Sequence, residues 1–211
     1  MINAALKKSD LDPTFRPFFA DSKYRVVIIP RGTRLWKLTA YTIPKVGEKN
    51  WKGDNATVSP WWANVYPFQE DKRGIHARIE EAKLNKVGFK DYMRFVAAVR
   101  IDWNMLSNYQ EITLNDDCMA FWGSFGPTGV LSAASEVADR GRANWENARD
   151  VQLPAVQKRI ELPSLLGGLD DAFQFYIPGI FPEMLTQAYS KNLHDRGTIQ
   201  ISAFGAQEVG R

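Results

Sequence analysis

The sequence predicts an α+β domain built on a mixed sheet, and three observations carry that expectation. Short runs of β-branched and aromatic residues recur from residue 24 to residue 204, which is how strands read in a sequence. Helical spacing is concentrated in the middle of the chain. Strand and helix do not alternate regularly, as a doubly wound parallel sheet would require. With 211 residues the chain holds one core without disulfide or metal staples. The expected organisation is a polar, turn-rich leader over 1–23 and one domain over 24–211.

The elements follow in order. Residues 24–29 (YRVVII) read as a strand, closed by a Pro30-Arg31-Gly32 turn. Residues 34–41 (RLWKLTAY) resume a strand with Leu35, Lys37 and Thr39 on one face and Trp36 and Leu38 on the other. A long loop over 42–56 precedes a short apolar segment at 57–62 (TVSPWW). Near-helical spacing of Ile75, Ile79 and Ala82 predicts a helix over 69–85. The apolar stretch 92–101 reads as ending in a strand, and 109–114 alternates as another. Helical insertions are expected between about 115 and 170, at 132–147 and 151–166. A strand follows at 172–177, a short helix at 182–192 and a closing strand at 197–204.

Composition narrows the function classes. The 27 basic and 24 acidic side chains leave a net charge of +3, too slight for the concentrated basic face of a duplex binder. Cys118 is the single cysteine, so no internal disulfide exists. A lone thiol before Met119, Ala120 and Phe121 reads as a small core hydrophobe rather than a nucleophile. His76 and His194 lie far apart, and no Cys/His ligand spacing appears, so no metal site is expected. No window approaches the roughly 18 apolar residues of a membrane span. The first thirty residues lack an apolar signal core. A soluble protein with no membrane association is therefore expected.

Motifs for dinucleotide loops, Walker phosphate loops, nucleophile elbows and zinc proteases are absent. Gly123, Gly126 and Gly129 lie in GSFGPTG, which reads either as a phosphate cradle short of one donor at Pro127 or as a chain-turning loop. The stretch IIPRGTRLWKLT places Arg31, Arg34 and Lys37 around one strand entrance. Ser59, Trp61 and Trp62 follow in NATVSPWW, and the chain closes on ISAFGAQEVGR. Alternation sends Ser59 and Trp61 to one face and Trp62 to the other. Arg31 and Arg34 also read as solvated turn and strand residues, and Ser59 as a turn former before Pro60.

This order resembles the Arg-Ser-Glu arrangement of the ADP-ribosyltransferase superfamily, which includes bacterial and NAD-glycohydrolase toxins. The resemblance implies a fold of that type and NAD as substrate. It implies that Arg31 or Arg34, with Lys37 on the same strand, contacts the NAD phosphates. Ser59 would brace the nicotinamide pocket; nicotinamide and adenine are flat, so Trp61 or Trp62 could stack on one of them. Glu208 would be the catalytic carboxylate, with Gln207 beside it. The pattern departs from the family at two places. Gln207 and Glu208 are adjacent where members space these residues by one, and Pro60 follows Ser59 where many members have Thr-Ser. The chemistry is coherent: a guanidinium suits phosphates, and a carboxylate stabilises the cation that develops on the ribose. The resemblance further implies a protein or nucleic-acid acceptor for ADP-ribose, and a cognate immunity protein. It also implies export without a cleavable signal, with action in a target-cell cytoplasm. The rival reading is a non-enzymatic binding or assembly module that uses Trp51, Trp61 and Trp62 as an aromatic surface.

Overall fold

The computed structural model describes residues 1–86, 88–97, 99, 104, 106–126 and 172–193. Its centre is a seven-stranded sheet in the order β1-β5-β6-β3-β2-β4-β7. The strands are β1 (Arg25–Ile29), β2 (Arg34–Thr39), β3 (Trp61–Asn64), β4 (Asn108–Leu114), β5 (Cys118–Ser124), β6 (Phe173–Tyr176) and β7 (Leu185–Asn192). Among the described residues, two α-helices, α1 (Gly74–Leu84) and α2 (Phe89–Val96), join the sheet in an α+β architecture. Every ladder between these strands is antiparallel, so the expected mixed sheet is corrected. Among the described residues no helix is long and apolar enough to cross a membrane.

Alternation along the strands separates two faces. Val27, Ile29, Leu35, Trp62, Ile112, Ala120, Trp122 and Phe175 meet in one continuous apolar cluster, so the sheet wraps this inner face around a common core. The outer face has two covers. α1 and α2 lay Ile75, Ala82, Tyr92, Met93 and Val96 over Trp36 and Tyr109. The N-terminal segment lays Leu11 and Phe19 over Phe121.

That second cover corrects the expected leader. Residues 1–23 form three short 3-10 turns, at Lys8–Asp10, Pro13–Phe18 and Ala20–Ser22. Leu11 and Phe19 are buried to 1 % exposure, deeper than a loose terminus permits. The segment approaches so closely that a Cβ at Gly123 would sit 2.6 Å from the Lys23 carbonyl oxygen, and one at Gly126 would collide with the Pro17 carbonyl. The Gly126 N–H donates to the Phe18 carbonyl at 2.8 Å. These glycines therefore serve backbone packing rather than a phosphate cradle. Gly129 lies outside the described residues.

Three element expectations change for physical reasons. The stretch 92–101 begins as helix α2 because Tyr92, Met93, Phe95 and Val96 are all buried, and an unbroken apolar run looks alike in helix and strand. Residues 182–192 form a 3-10 turn at Pro182–Met184 and then edge strand β7, because pairing with β4 along its length overrides the helical preference of Leu-Thr-Gln-Ala. Strand β5 occupies the start of the expected helical insertion. The helices expected at 132–147 and 151–166 and the strand at 197–204 lie outside the described residues.

A buried polar network fastens β2 to β4. Arg34 Nε donates to Glu111 Oε1 at 2.5 Å, the Tyr109 hydroxyl donates to Glu111 Oε2 at 2.7 Å, and Arg34 Nη1 donates to the Tyr66 hydroxyl at 2.9 Å. Burial, and then the Glu111 carboxylate, push the Tyr109 phenol far above its ordinary range, so it remains a donor. The side chains of Arg34 and Glu111 are 10 % and 6 % exposed, so losing either partner strands a charge. Glu111→Ala is expected to cost about 3–5 kcal/mol in urea unfolding, and Arg34→Met with Glu111→Leu together less than the sum of the singles. Additive losses would mean that the two groups act independently.

Candidate functional site

Strands β2 and β3 pair over two positions only, Leu35 with Asn64 and Trp36 with Ala63. Beyond that point β3 turns to β6, pairing Trp61 with Tyr176 and Trp62 with Phe175. β2 continues against β4 as far as Thr39. The two strands therefore part company, and a cavity of about 530 Å³ fills the wedge. Lys37, Leu38 and Thr39 line one side, and Ser59, Trp61 and Trp62 line the other. Residues from both faces of the sheet contribute because the opening runs through the gap between strands. Its size lies within the range of small-molecule pockets, roughly 300–1,000 Å³.

The walls are mainly apolar and aromatic. Trp61 is held on the outer face by Phe18 at 5.5 Å, Phe19 at 5.7 Å and Tyr176 at 4.7 Å between ring centroids. Trp62, 2 % exposed, belongs to the inner core. Its indole N–H donates to the Ser59 carbonyl at 2.7 Å, which fixes the turn ahead of the strand. Asn104 closes another part of the wall. It donates to the Thr39 hydroxyl at 3.2 Å and accepts from the Ala40 and Leu106 amides at 2.6 and 2.9 Å. Gln174 donates to the Phe18 carbonyl at 2.5 Å, tying the N-terminal segment to the cavity rim.

Lys37 is the one charged side chain among the described residues lining this cavity. It shares the inner face with Leu35 by strand alternation. Its Nζ lies 4.0 Å from the centroid of the Trp62 ring and 3.4 Å from the Ser59 carbonyl oxygen. Lys37 is half-buried and lines the cavity, and the surrounding protein removes most of the hydration of its amine. This desolvation pushes its pKa from the ordinary lysine range down to about 7. The Ser59 hydroxyl also lines the cavity and has no hydrogen-bond partner among the described residues.

The structure thus brings together Lys37, Ser59 and Trp61 and adds Trp62, which the face assignment had placed in the core. It separates the other two cations from them. Arg31 sits on the exposed β1–β2 turn, its backbone N–H donating to Asp117 Oδ1 at 2.7 Å. Arg34 lies three residues before Lys37, hence on the opposite face, and its guanidinium is engaged by Glu111 and Tyr66. Neither arginine lines the cavity. Glu111, an alternative carboxylate by position, is committed to that ion pair. Gln207 and Glu208 lie outside the described residues. Sequence reasoning missed Asn104, Gln174 and Phe18. They arrive from distant segments, and no local pattern marks them. Among the described residues no cluster of His, Cys, Asp or Glu could hold a metal. Burial raises the Cys118 thiol to about 12, which leaves it inert as a nucleophile.

The depressed lysine makes a stability prediction. The unfolded chain protonates this amine near the ordinary value of about 10.4, and the folded chain near 7. Between those values the unfolded state binds more protons, so stability rises with pH. The cost of burying the charge is complete below pH 7 and gone above about pH 10.5. Lys37→Met is therefore expected to melt higher than wild type at pH 6, with the gap closing toward pH 10. A gap independent of pH would show that the amine is not desolvated.

No family model matches the chain, and no curated protein and no solved structure matches it.

Proposed function

We propose that this domain binds a flat, ring-bearing small molecule in the β2/β3 cavity, and that NAD is the ligand the family resemblance favours. The observation that supports this reading is the convergence of Ser59, Trp61 and Lys37 on one aromatic cavity, although 22 residues separate Lys37 from Ser59. In this reading the nicotinamide ring stacks on Trp61. The free Ser59 hydroxyl bonds its carboxamide, and Lys37 meets a ribose or phosphate oxygen. The phosphate role passes from the arginines to Lys37, because Arg34 already has a carboxylate partner.

Cleavage of the nicotinamide–ribose bond, with ADP-ribose passing to water or to a macromolecular acceptor, is the enzymatic form of the proposal. It needs Glu208, with Gln207, at the ribose to stabilise the developing positive charge. A non-enzymatic module remains the second reading. The observation favouring it is Trp51, 90 % exposed, with Lys52 Nζ 4.9 Å from its ring centroid. Trp61 and Trp62 do not join Trp51 in a shared surface, since they line the cavity instead.

Calorimetry with NAD tests the binding claim. Trp61→Ala is expected to weaken affinity by about 1–3 kcal/mol through lost stacking, with thermal melts run alongside to confirm folding. Undetectable NAD binding by folded wild type would remove NAD as the ligand. Nicotinamide release tests the chemistry. Glu208→Gln is expected to keep NAD affinity while turnover falls about 100- to 1,000-fold. Undiminished release by that variant would take catalysis away from Glu208.

A further inference from the structure

We propose that Lys37 is a carbonyl-capturing amine, forming an imine with an aryl aldehyde whose ring enters the cavity that Trp61 and Trp62 line. The inference rests on the cavity being a ligand site and not on the ligand being NAD.

The geometry supplies what imine formation requires. The Lys37 amine opens on a cavity large enough for a ring and its carbonyl. No carboxylate lines that cavity among the described residues, so no ion pair there ties up the amine. The Ser59 carbonyl oxygen, 3.4 Å from Nζ, accepts an N–H and leaves the nitrogen lone pair available to the ligand. The Ser59 hydroxyl lines the same space and can bond the oxygen of the carbinolamine. Trp61, Met93 and Leu106 provide apolar walls that favour loss of water.

The step balances without an oxidant or reductant. The Nζ lone pair attacks the aldehyde carbon, a C–N bond forms, and the carbonyl π pair moves to oxygen. Proton transfer from nitrogen to oxygen gives the carbinolamine. Its hydroxyl, protonated from solvent, leaves as water while the nitrogen lone pair closes the C=N bond, and the iminium N–H proton returns to solvent. Burial supports this chemistry from a second direction. With a pKa near 7 the amine is about half free base at pH 7 and roughly three-quarters free base at pH 7.5, whereas a solvated lysine near 10.4 is about 0.1 % free base at pH 7.5.

The surroundings of the amine explain its pH response. Gln110 of β4 stands opposite Lys37 in register, and Thr39 and Tyr41 follow it along the chain. Ser59 and Trp62 face it from the β3 side. Tyr41 is the other titratable residue among the described lining. Arg94 of α2 lies behind the wall, donating to the Val99 and Asn104 carbonyls at 3.2 and 2.8 Å. No acid among these described groups counters desolvation.

Reductive trapping tests the proposal. The full chain is incubated with dilute salicylaldehyde and cyanoborohydride at pH 7.5, and labelled lysines are mapped by peptide mass spectrometry. Lys37 is expected to label at least about tenfold faster than any other lysine, given its far larger free-base fraction. The label should fall away below pH 7 and vanish in Lys37→Arg. Labelling spread evenly over the lysines, or an unlabelled Lys37 in folded protein, would overturn the proposal. Adding NAD separates the two readings. Lys37 labelling that NAD does not suppress refutes NAD as the occupant and leaves the imine standing. Absent labelling beside intact NAD binding refutes the imine alone.

Discussion

Four residues, Trp61–Asn64, join one half of the sheet to the other. Ala63 and Asn64 pair with β2 while Trp61 and Trp62 pair with β6. The strand gives each neighbour a different half of its length. The division keeps a single sheet order while opening a gap beside Lys37. A longer β3 would zip β2 shut and fill the wedge with backbone hydrogen bonds. The site exists because one ladder stops early.

The same division sorts the cations of β2. Arg34 lies just before the stretch paired with β3, its carbonyl accepting from the Val65 N–H at 3.1 Å, and its guanidinium bonds Glu111 and Tyr66 to lock β2 against β4. Lys37 lies where the pairing has ended, and it faces a cavity without a carboxylate among the described residues. The ion-paired cation and the cavity amine are thereby separated by three positions on one strand. The ion pair strengthens the frame, and the unpaired amine costs stability at low pH. A desolvated lysine in an aromatic recess is the kind of local penalty that folded proteins tolerate at working sites. The Trp62 ring beneath the amine offsets part of that penalty, since an aromatic face attracts a cation.

Strand patterns were the most legible part of the sequence. The run RVVII and the alternation in NYQEITL have one plausible conformation each, and both are strands. Lys37 on the face of Leu35, and Trp61 opposite Trp62, also followed from period-two alternation. Other features depended on tertiary partners. Strand β5 (CMAFWGS) is covered on both faces, so its residues show no polar face to alternate with. β7 (LTQAYSKN) is a strand because β4 offers it an edge. Apolar residues are scattered through the N-terminal segment, and Leu6, Leu11, Phe15 and Phe19 become anchors only when the β5–β6 surface is in place. Of the cavity lining, Lys37, Ser59 and Trp61 were singled out in the sequence, whereas Phe18, Asn104 and Gln174 were not. Proximity in sequence grouped Arg31, Arg34 and Lys37, whereas the sheet separates them and replaces the arginines with Asn104 and Gln174.

Lys37 is desolvated in an open wedge rather than solvated on a strand. Carbon-13 NMR of protein labelled at the lysine Cε positions, titrated from pH 5 to pH 11, reads this directly. One signal is expected to titrate with a midpoint near 7, to disappear in Lys37→Arg, and to shift when a flat ring-bearing ligand is added. A spectrum in which no lysine titrates below about pH 9 would contradict the account.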